Sequence, residues 1–235
     1  MRWRIQDYLE VDSTSSLAAV AEPWTVIRAQ RQRAGRGTRG RVWVSGDGGL
    51  WLSAVLPAPA AAGDAAVWPL LAGLALCEIC RELGADGARL RWPNDLLIAD
   101  RKVAGVKLDR PSADKIIVGI GVNLTQDPSL TMGELRGQSG RLQDALPVVP
   151  DRDTLTLRIL ARLVEIHAHD FAFFAARLAA CWGAPRRVEI QVGERFITGV
   201  FQGVDGAGNP LLKAADGQSV TVSGAHVWRL RELGE

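Results

Sequence analysis

The sequence predicts an α/β (α+β) protein: a mixed β-sheet flanked by helices, followed by a small barrel of short strands. Three observations predict this. Strand-length apolar runs alternate with longer apolar helical stretches through residue 181. At Gly183-Ala184-Pro185 the pattern changes, and only short strand-like runs with turn signals follow. The composition, 47% hydrophobic and 23% charged over 235 residues, is that of a folded chain and not of a disordered one.

The elements follow in order. Asp12-Ser13-Thr14 places capping side chains ahead of a short helix over residues 15–21. Residues 24–29 read as a short strand and 30–41 as a Gly/Arg-rich loop. Residues 49–56 are apolar throughout save one serine, the mark of a strand buried on both faces. Residues 64–83 form a long apolar helix, with Pro69 near its start, where proline is tolerated, and Gly84 ending it. A strand at 89–92 breaks at Pro93, residues 95–98 resume it, and 102–109 return as a hairpin. Residues 115–124 form a further strand. Residues 125–150 are polar with no period, and 153–181 make one or two amphipathic helices.

The last part reads as strands at 187–191, 195–201, 211–214, 219–222 and 227–230. Five short strands in about 50 residues suggest a small SH3-like β-barrel. The expected domains are 1–184 and 185–235.

Bulk properties exclude several classes. The formal net charge of +2 creates no global field for nucleic acid or membrane. No stretch approaches the length that spans a bilayer, and Met1-Arg2-Trp3-Arg4-Ile5-Gln6 lacks the apolar run of a signal peptide. The expected location is the cytoplasm. Three cysteines argue against a disulfide scaffold; Cys77 and Cys80, in an apolar helix, read as core residues. His167, His169 and His226 have no metal-ligand neighbourhood.

Local charge is more informative. Residues 28–41 carry six arginines (28, 31, 33, 36, 39 and 41) and no acid, interrupted by Gly35, Gly37 and Gly40. Glycine lets backbone N–H groups approach a ligand, and guanidinium matches carboxylate and phosphate, so an anionic ligand is expected. A solvated basic loop is the plain alternative. The stretch also fits Gly-x-Gly-x-x-Gly, but no helix follows, so a dinucleotide-binding fold is excluded. A second cluster, Arg91-Trp92-Pro93-Asn94-Asp95 with Arg101-Lys102, gathers a carboxylate, an amide and a lysine on neighbouring strands, a grouping able to hold a metal-bound phosphate. A third, Gly119-Ile120-Gly121-Val122-Asn123, is a buried strand whose glycines leave room beside it.

Taken in this order, Ser13-Thr14, Gln32 with the 35–41 loop and Trp43, Trp92-Pro93-Asn94-Asp95, Arg101-Lys102 with Ala104-Gly105, and 119–123 resemble the biotin protein ligases. The resemblance runs from about residue 10 to 125 and more loosely to the C-terminus. It implies the class II synthetase-like, biotin/lipoate ligase fold. It implies activation of biotin by ATP and Mg²⁺ to biotinyl-5′-AMP, then transfer to a lysine of a biotin carboxyl carrier domain. It further implies a form without the DNA-binding domain of the longer members, no DNA or membrane partner, and room for a homodimer.

The resemblance also implies residue roles. Ser13, Thr14, Gln32, Gly35, Arg36, Gly37, Arg39, Lys102 and Gly105 would hold biotin. Arg39, Arg41, Trp43, Asn94, Asp95, Lys102 and Asn123 would hold ATP. Lys102, Arg36 and Arg39 would be catalytic, and Asp95 would face a metal. Two positions depart from the family. Thr38 stands where an arginine is usual, which puts retention of the adenylate in question. Lys107 stands where an apolar residue is usual; counted by strand alternation from Lys102 it points to the opposite face, toward solvent. The competing readings are a lipoate-type acyl ligase, a catalytically weak biotin- or adenylate-binding protein, and, least supported, a nucleic-acid binder.

Overall fold

The structure is a computed structural model that describes residues 2–59 and 66–234. A seven-stranded mixed sheet forms its centre. The strands are β1 (Arg4–Val11), β2 (Thr25–Gln32), β3 (Gly49–Pro57), β4 (Arg89–Arg91), β5 (Asp95–Ile98), β6 (Arg101–Asp109) and β7 (Lys115–Asn123), in the order β1-β2-β3-β7-β6-β5-β4. Only β1 and β2 run parallel; the other pairs are antiparallel.

Alternation along the strands divides the sheet into two faces. Leu50, Leu52, Ala54 and Leu56 of β3 and Ile116, Val118, Ile120 and Val122 of β7 enter the main core. There α2 (Trp68–Glu82), α3 (Arg152–Ala168) and α4 (Phe171–Ala179) cover the sheet. The start of the expected helix, at Asp64 and Ala65, lies outside the described residues. The other face carries Ser53, Gly119, Gly121 and Gly105, and α1 (Thr14–Ala18) covers only its end, through Ala18 against Ile27, Val55 and Ile117. Helices thus seal one face, while glycines and a serine leave the second face hollow.

Several elements differ from expectation. β1 went unread because seven of its eight residues are exposed; pairing with β2 holds it at the sheet edge. α1 is shorter than read, and Ser13 at its N-cap makes no side-chain cap. α3 and α4 are separate helices, because Asp170 caps a new start by accepting from the Phe173 N–H at 3.0 Å. Residues 125–150 are loop, as read, with three short 3₁₀ turns inside it.

The C-terminal strands are β8 (Arg187–Val192), β9 (Arg195–Val204), β10 (Pro210–Lys213), β11 (Ser219–Thr221) and β12 (Val227–Glu232). They form one antiparallel sheet in the order β11-β10-β9-β8-β12. The expected SH3-like barrel is not formed: β11 and β12 remain separate edges, and no sheet closes. The reason lies in what the sheet packs against. A barrel buries its inner face on itself, whereas here Val188, Ile190, Leu212 and Val227 join the core of the main sheet. Polar ties reinforce the contact: the Trp92 indole N–H donates to the Gly208 carbonyl at 2.9 Å, and Arg89 grips Glu232 at 2.6 Å.

Candidate active site

Two adjoining hollows occupy the open face of the main sheet. The first has a volume of about 460 Å³ and walls that mix polar and apolar groups. Its head is built where α1 meets β2 and β3. The Gln32 side-chain oxygen Oε1 accepts from the Thr14 backbone N–H at 2.8 Å and from its hydroxyl at 3.1 Å. The Thr14 and Ser53 hydroxyls lie 2.8 Å apart, and Ser15 reaches Ser53 at 3.3 Å. The Gln32 amide donates to the Ser45 hydroxyl at 2.8 Å. These bonds fix a ring of small polar groups around a space kept open by Gly119. Ser53 shows no exposure although it sits in an apolar strand; the sequence reading missed it, and the break in the apolar run is the signal that could have found it.

The Gly/Arg loop closes this hollow from above. Strand β2 runs to Gln32, past the expected loop start. The loop then folds back on itself: Arg36 bridges Val42, Gly37 N–H donates to the Arg41 carbonyl at 2.8 Å, and Trp43 N–H to the Gly35 carbonyl at 2.9 Å. A Cβ at Gly35 would lie 2.4 Å from the Trp43 carbonyl, so only glycine fits without movement. Trp43 in turn lies over Gly121, where a Cβ would meet its Nε1 at 2.4 Å.

The second hollow, about 1170 Å³, lies on the far side of Trp43 and Lys102, which line both. Arg41, Arg91, Asp95 and Asn123 line it, and the segment after β7 forms its outer wall. That segment is pinned to β6: Lys102 N–H donates to the Gln138 carbonyl at 2.8 Å and Gly140 N–H to the Lys102 carbonyl at 2.9 Å. Asn123 donates to the Gly140 carbonyl at 3.0 Å, leaving its buried Oδ1 without a partner among the described residues. The buried indole N–H of Trp43 is also unpartnered. An orphan acceptor and an orphan donor at one cavity call for a ligand that supplies both.

Lys102 stands at the junction. Its ammonium lies 2.5 Å from Asp95 Oδ1 and 4.9 Å from the centre of the Trp43 ring. Asp95 Oδ2 takes Arg91 at 2.8 Å. Burial alone would push the Asp95 carboxyl up; the Lys102 and Arg91 charges outweigh burial and hold it below the ordinary carboxylate value.

Lys107 corrects the strand count. The register of β5 against β6 slips between Leu96 and Leu97, so Lys102 pairs with Leu97 and Ala104 with Leu96. Val103 is the extra residue of a bulge, and side chains before it change face. Lys102, Gly105 and Lys107 therefore share one face, and Lys107 lines the first hollow instead of pointing to open solvent.

Of the expected residues, Ser13, Thr14, Gln32, Arg36, Gly37, Asn94, Lys102 and Gly105 meet at the first hollow. Arg41, Trp43, Asp95, Lys102 and Asn123 meet at the second. Asn94 donates to the Val106 carbonyl at 2.5 Å, a tie between strands. Gly35 acts behind the wall. Arg39 lines neither hollow. Its guanidinium donates to the carbonyls of Val227 and Trp228 and lies 5.4 Å from the Trp228 ring centre.

No cysteine lines either hollow. Cys80 is buried, and burial pushes its thiol up to about 12. No group of three potential metal-ligating side chains occurs among the described residues, and no helix there is long and apolar enough to cross a membrane.

The fold brings two hollows together at one lysine. Residues 10–123 match the model of the biotin/lipoate A/B protein ligase family. The chain belongs to this family. It is 31% identical over 233 residues to the biotin--[acetyl-CoA-carboxylase] ligase of Paracoccus denitrificans, covering 89% of this chain and 94% of that one. It is 31% identical over 199 residues to the bifunctional ligase/repressor BirA of Escherichia coli, covering 79% of this chain and 60% of that protein's length. Among solved structures, the biotin protein ligase from Aquifex aeolicus in complex with biotin and ATP superposes with a TM-score of 0.83 at 28% identity, covering 98% of this chain and 99% of that one.

Proposed function

We propose that this protein is a biotin protein ligase that joins biotin to ATP as biotinyl-5′-AMP and passes the biotinyl group to a lysine of a biotin carboxyl carrier domain. The observation that carries the reading is the position of Lys102, shared by a hollow lined by hydroxyls, an amide and cations with no acid and a larger one where Arg41 and Arg91 stand beside Asp95 and Glu134. The whole-length likeness to ligases whose structures hold biotin and ATP supports it.

The first hollow suits the biotin head, with Thr14, Gln32, Ser13 and the backbone at Gly37 and Gly105 around the bicyclic urea. The second suits the nucleotide, with Trp43 and Asn123 offering the orphan donor and acceptor and Arg41 a charge for phosphate. Biotin's carboxylate oxygen attacks the α-phosphorus; the new bond makes the mixed anhydride, and the bond to pyrophosphate breaks. Two anions must approach for this, so the Lys102 ammonium and the Arg36 guanidinium lower the barrier by neutralising both. The acceptor lysine amine then attacks the acyl carbon and AMP leaves.

Asp95 holds Lys102 in place. Both its oxygens are already taken by cations, a poor fit to a resident metal. Magnesium belongs instead with the phosphates of ATP, and no step here runs through it. Arg39 acts by tying the loop to β12 rather than from the cavity. Residues 1–184 would be the catalytic domain and 185–235 its C-terminal companion. The three free, buried cysteines favour action in a reducing cytoplasm.

Incubation with biotin, ATP, Mg²⁺ and a carrier domain should add one biotinyl group to a carrier lysine, seen by mass spectrometry. Lys102→Ala should cut the rate by about 10²–10³-fold while the circular dichroism spectrum stays unchanged. A variant that keeps full activity would remove Lys102 from the chemistry.

A further inference from the structure

Lys107 has no part in the chemistry just described, yet it lines the first hollow. Three adjacent strands set its place. Ser53 of β3 pairs with Gly119 of β7, and Gly119 pairs with Lys107 of β6. Neighbouring strands lie roughly 4.8 Å apart, so Ser53 and Lys107 face each other across about 10 Å of sheet. The residue between them has no side chain, and a Cβ there would lie 3.4 Å from the Ser15 hydroxyl. The row therefore forms a slot with hydroxyls of Ser15 and Ser53 at one end and the Lys107 residue at the other.

The Lys107 ammonium lies 2.9 Å from Asp109, and the two side chains are 25% and 33% exposed. A pair so placed contributes little to stability, but it holds the stem in one direction. An ammonium has three N–H donors. One carboxylate oxygen leaves donors free for the slot.

We propose that Lys107 is a specificity-determining residue: its ammonium donates to the head group of the bound acid, so the hollow selects a ring that ends in a hydrogen-bond acceptor, such as a cyclic urea, over a dithiolane or an alkyl chain. The proposal rests on the ligase reading above and deepens it. A site built to hydrogen-bond a polar head rejects an analogue that leaves its donor unpaired.

The test is calorimetric titration of biotin and of lipoate into the wild-type protein, Lys107→Met and Lys107→Leu. Methionine keeps most of the stem, so it serves if leucine disturbs folding. Biotin affinity should fall tenfold or more in Lys107→Met, lipoate affinity should change by less than threefold, and the preference for biotin should shrink by the ratio. Unchanged biotin affinity, or an equal loss for both acids, overturns the assignment of Lys107 alone. A wild-type protein that binds no biotin overturns the ligase reading together with it.

Discussion

Single side chains set the site through what they leave open as much as through what they offer. Gly121 is empty because Trp43 lies where a methyl group would go. Gly121→Ala would push a Cβ to 2.4 Å from the indole nitrogen, and overpacking of this kind costs about 1–3 kcal/mol. Trp43 borders both hollows, so the variant should bind both biotin and ATP more weakly, each by tenfold or more in titration. Loss of one affinity with the other intact would mean that Trp43 is not a shared wall. Asp95 shows how charge is held ready at the same place. Its carboxyl is kept below its ordinary value by Lys102 and Arg91. Its stabilising effect is therefore complete above the unfolded value, and is lost only as pH falls through the lower folded one. At neutral pH Asp95 is therefore an anion held against Lys102.

Elements divide the labour between stability and chemistry. The helical side of the sheet carries the load. Phe174 on α4 is 1% exposed and packs into the layer over α2. Arg177 lies over its ring at 5.2 Å and grips Glu78 at 2.6 Å and Glu165 at 2.7 Å. Phe174→Ala should destabilise the protein by about 3–5 kcal/mol in urea unfolding, and leave the biotin affinity of the folded fraction unchanged. A loss under about 1 kcal/mol would show that α4 is a loose attachment. The opposite face trades packing for space, with glycines on β6 and β7 and a buried serine on β3. The glycine pair on β7 was legible in the sequence, because it breaks a β-branched run; Ser53 was passed over in a strand read as buried on both faces. The bulge at Val103 was not legible. One extra residue leaves composition and period unchanged, yet it moves Lys107 from solvent to the cavity.

At the scale of the whole molecule, the sequence carried the division into a mixed sheet with helices and a late run of short strands. It did not carry the closure of that run. Whether five strands curl into a barrel depends on what lies against their inner face, and here the main core lies there. Edge strand β1 escaped reading for a related reason, since its place comes from pairing and not from an apolar pattern. The two parts meet again at the site, where Arg39 at the tip of the Gly/Arg loop fastens to β12 through the Val227 and Trp228 carbonyls. The proposed function turns on one event, the joining of an acid to a nucleotide beside Lys102. That event needs no acceptor protein, so it is measured most directly by the biotin-dependent exchange of labelled pyrophosphate into ATP. The geometry predicts exchange that requires biotin and falls by about 10²–10³-fold in Lys102→Ala. Exchange that is absent with biotin, or that proceeds equally without it, would contradict the account.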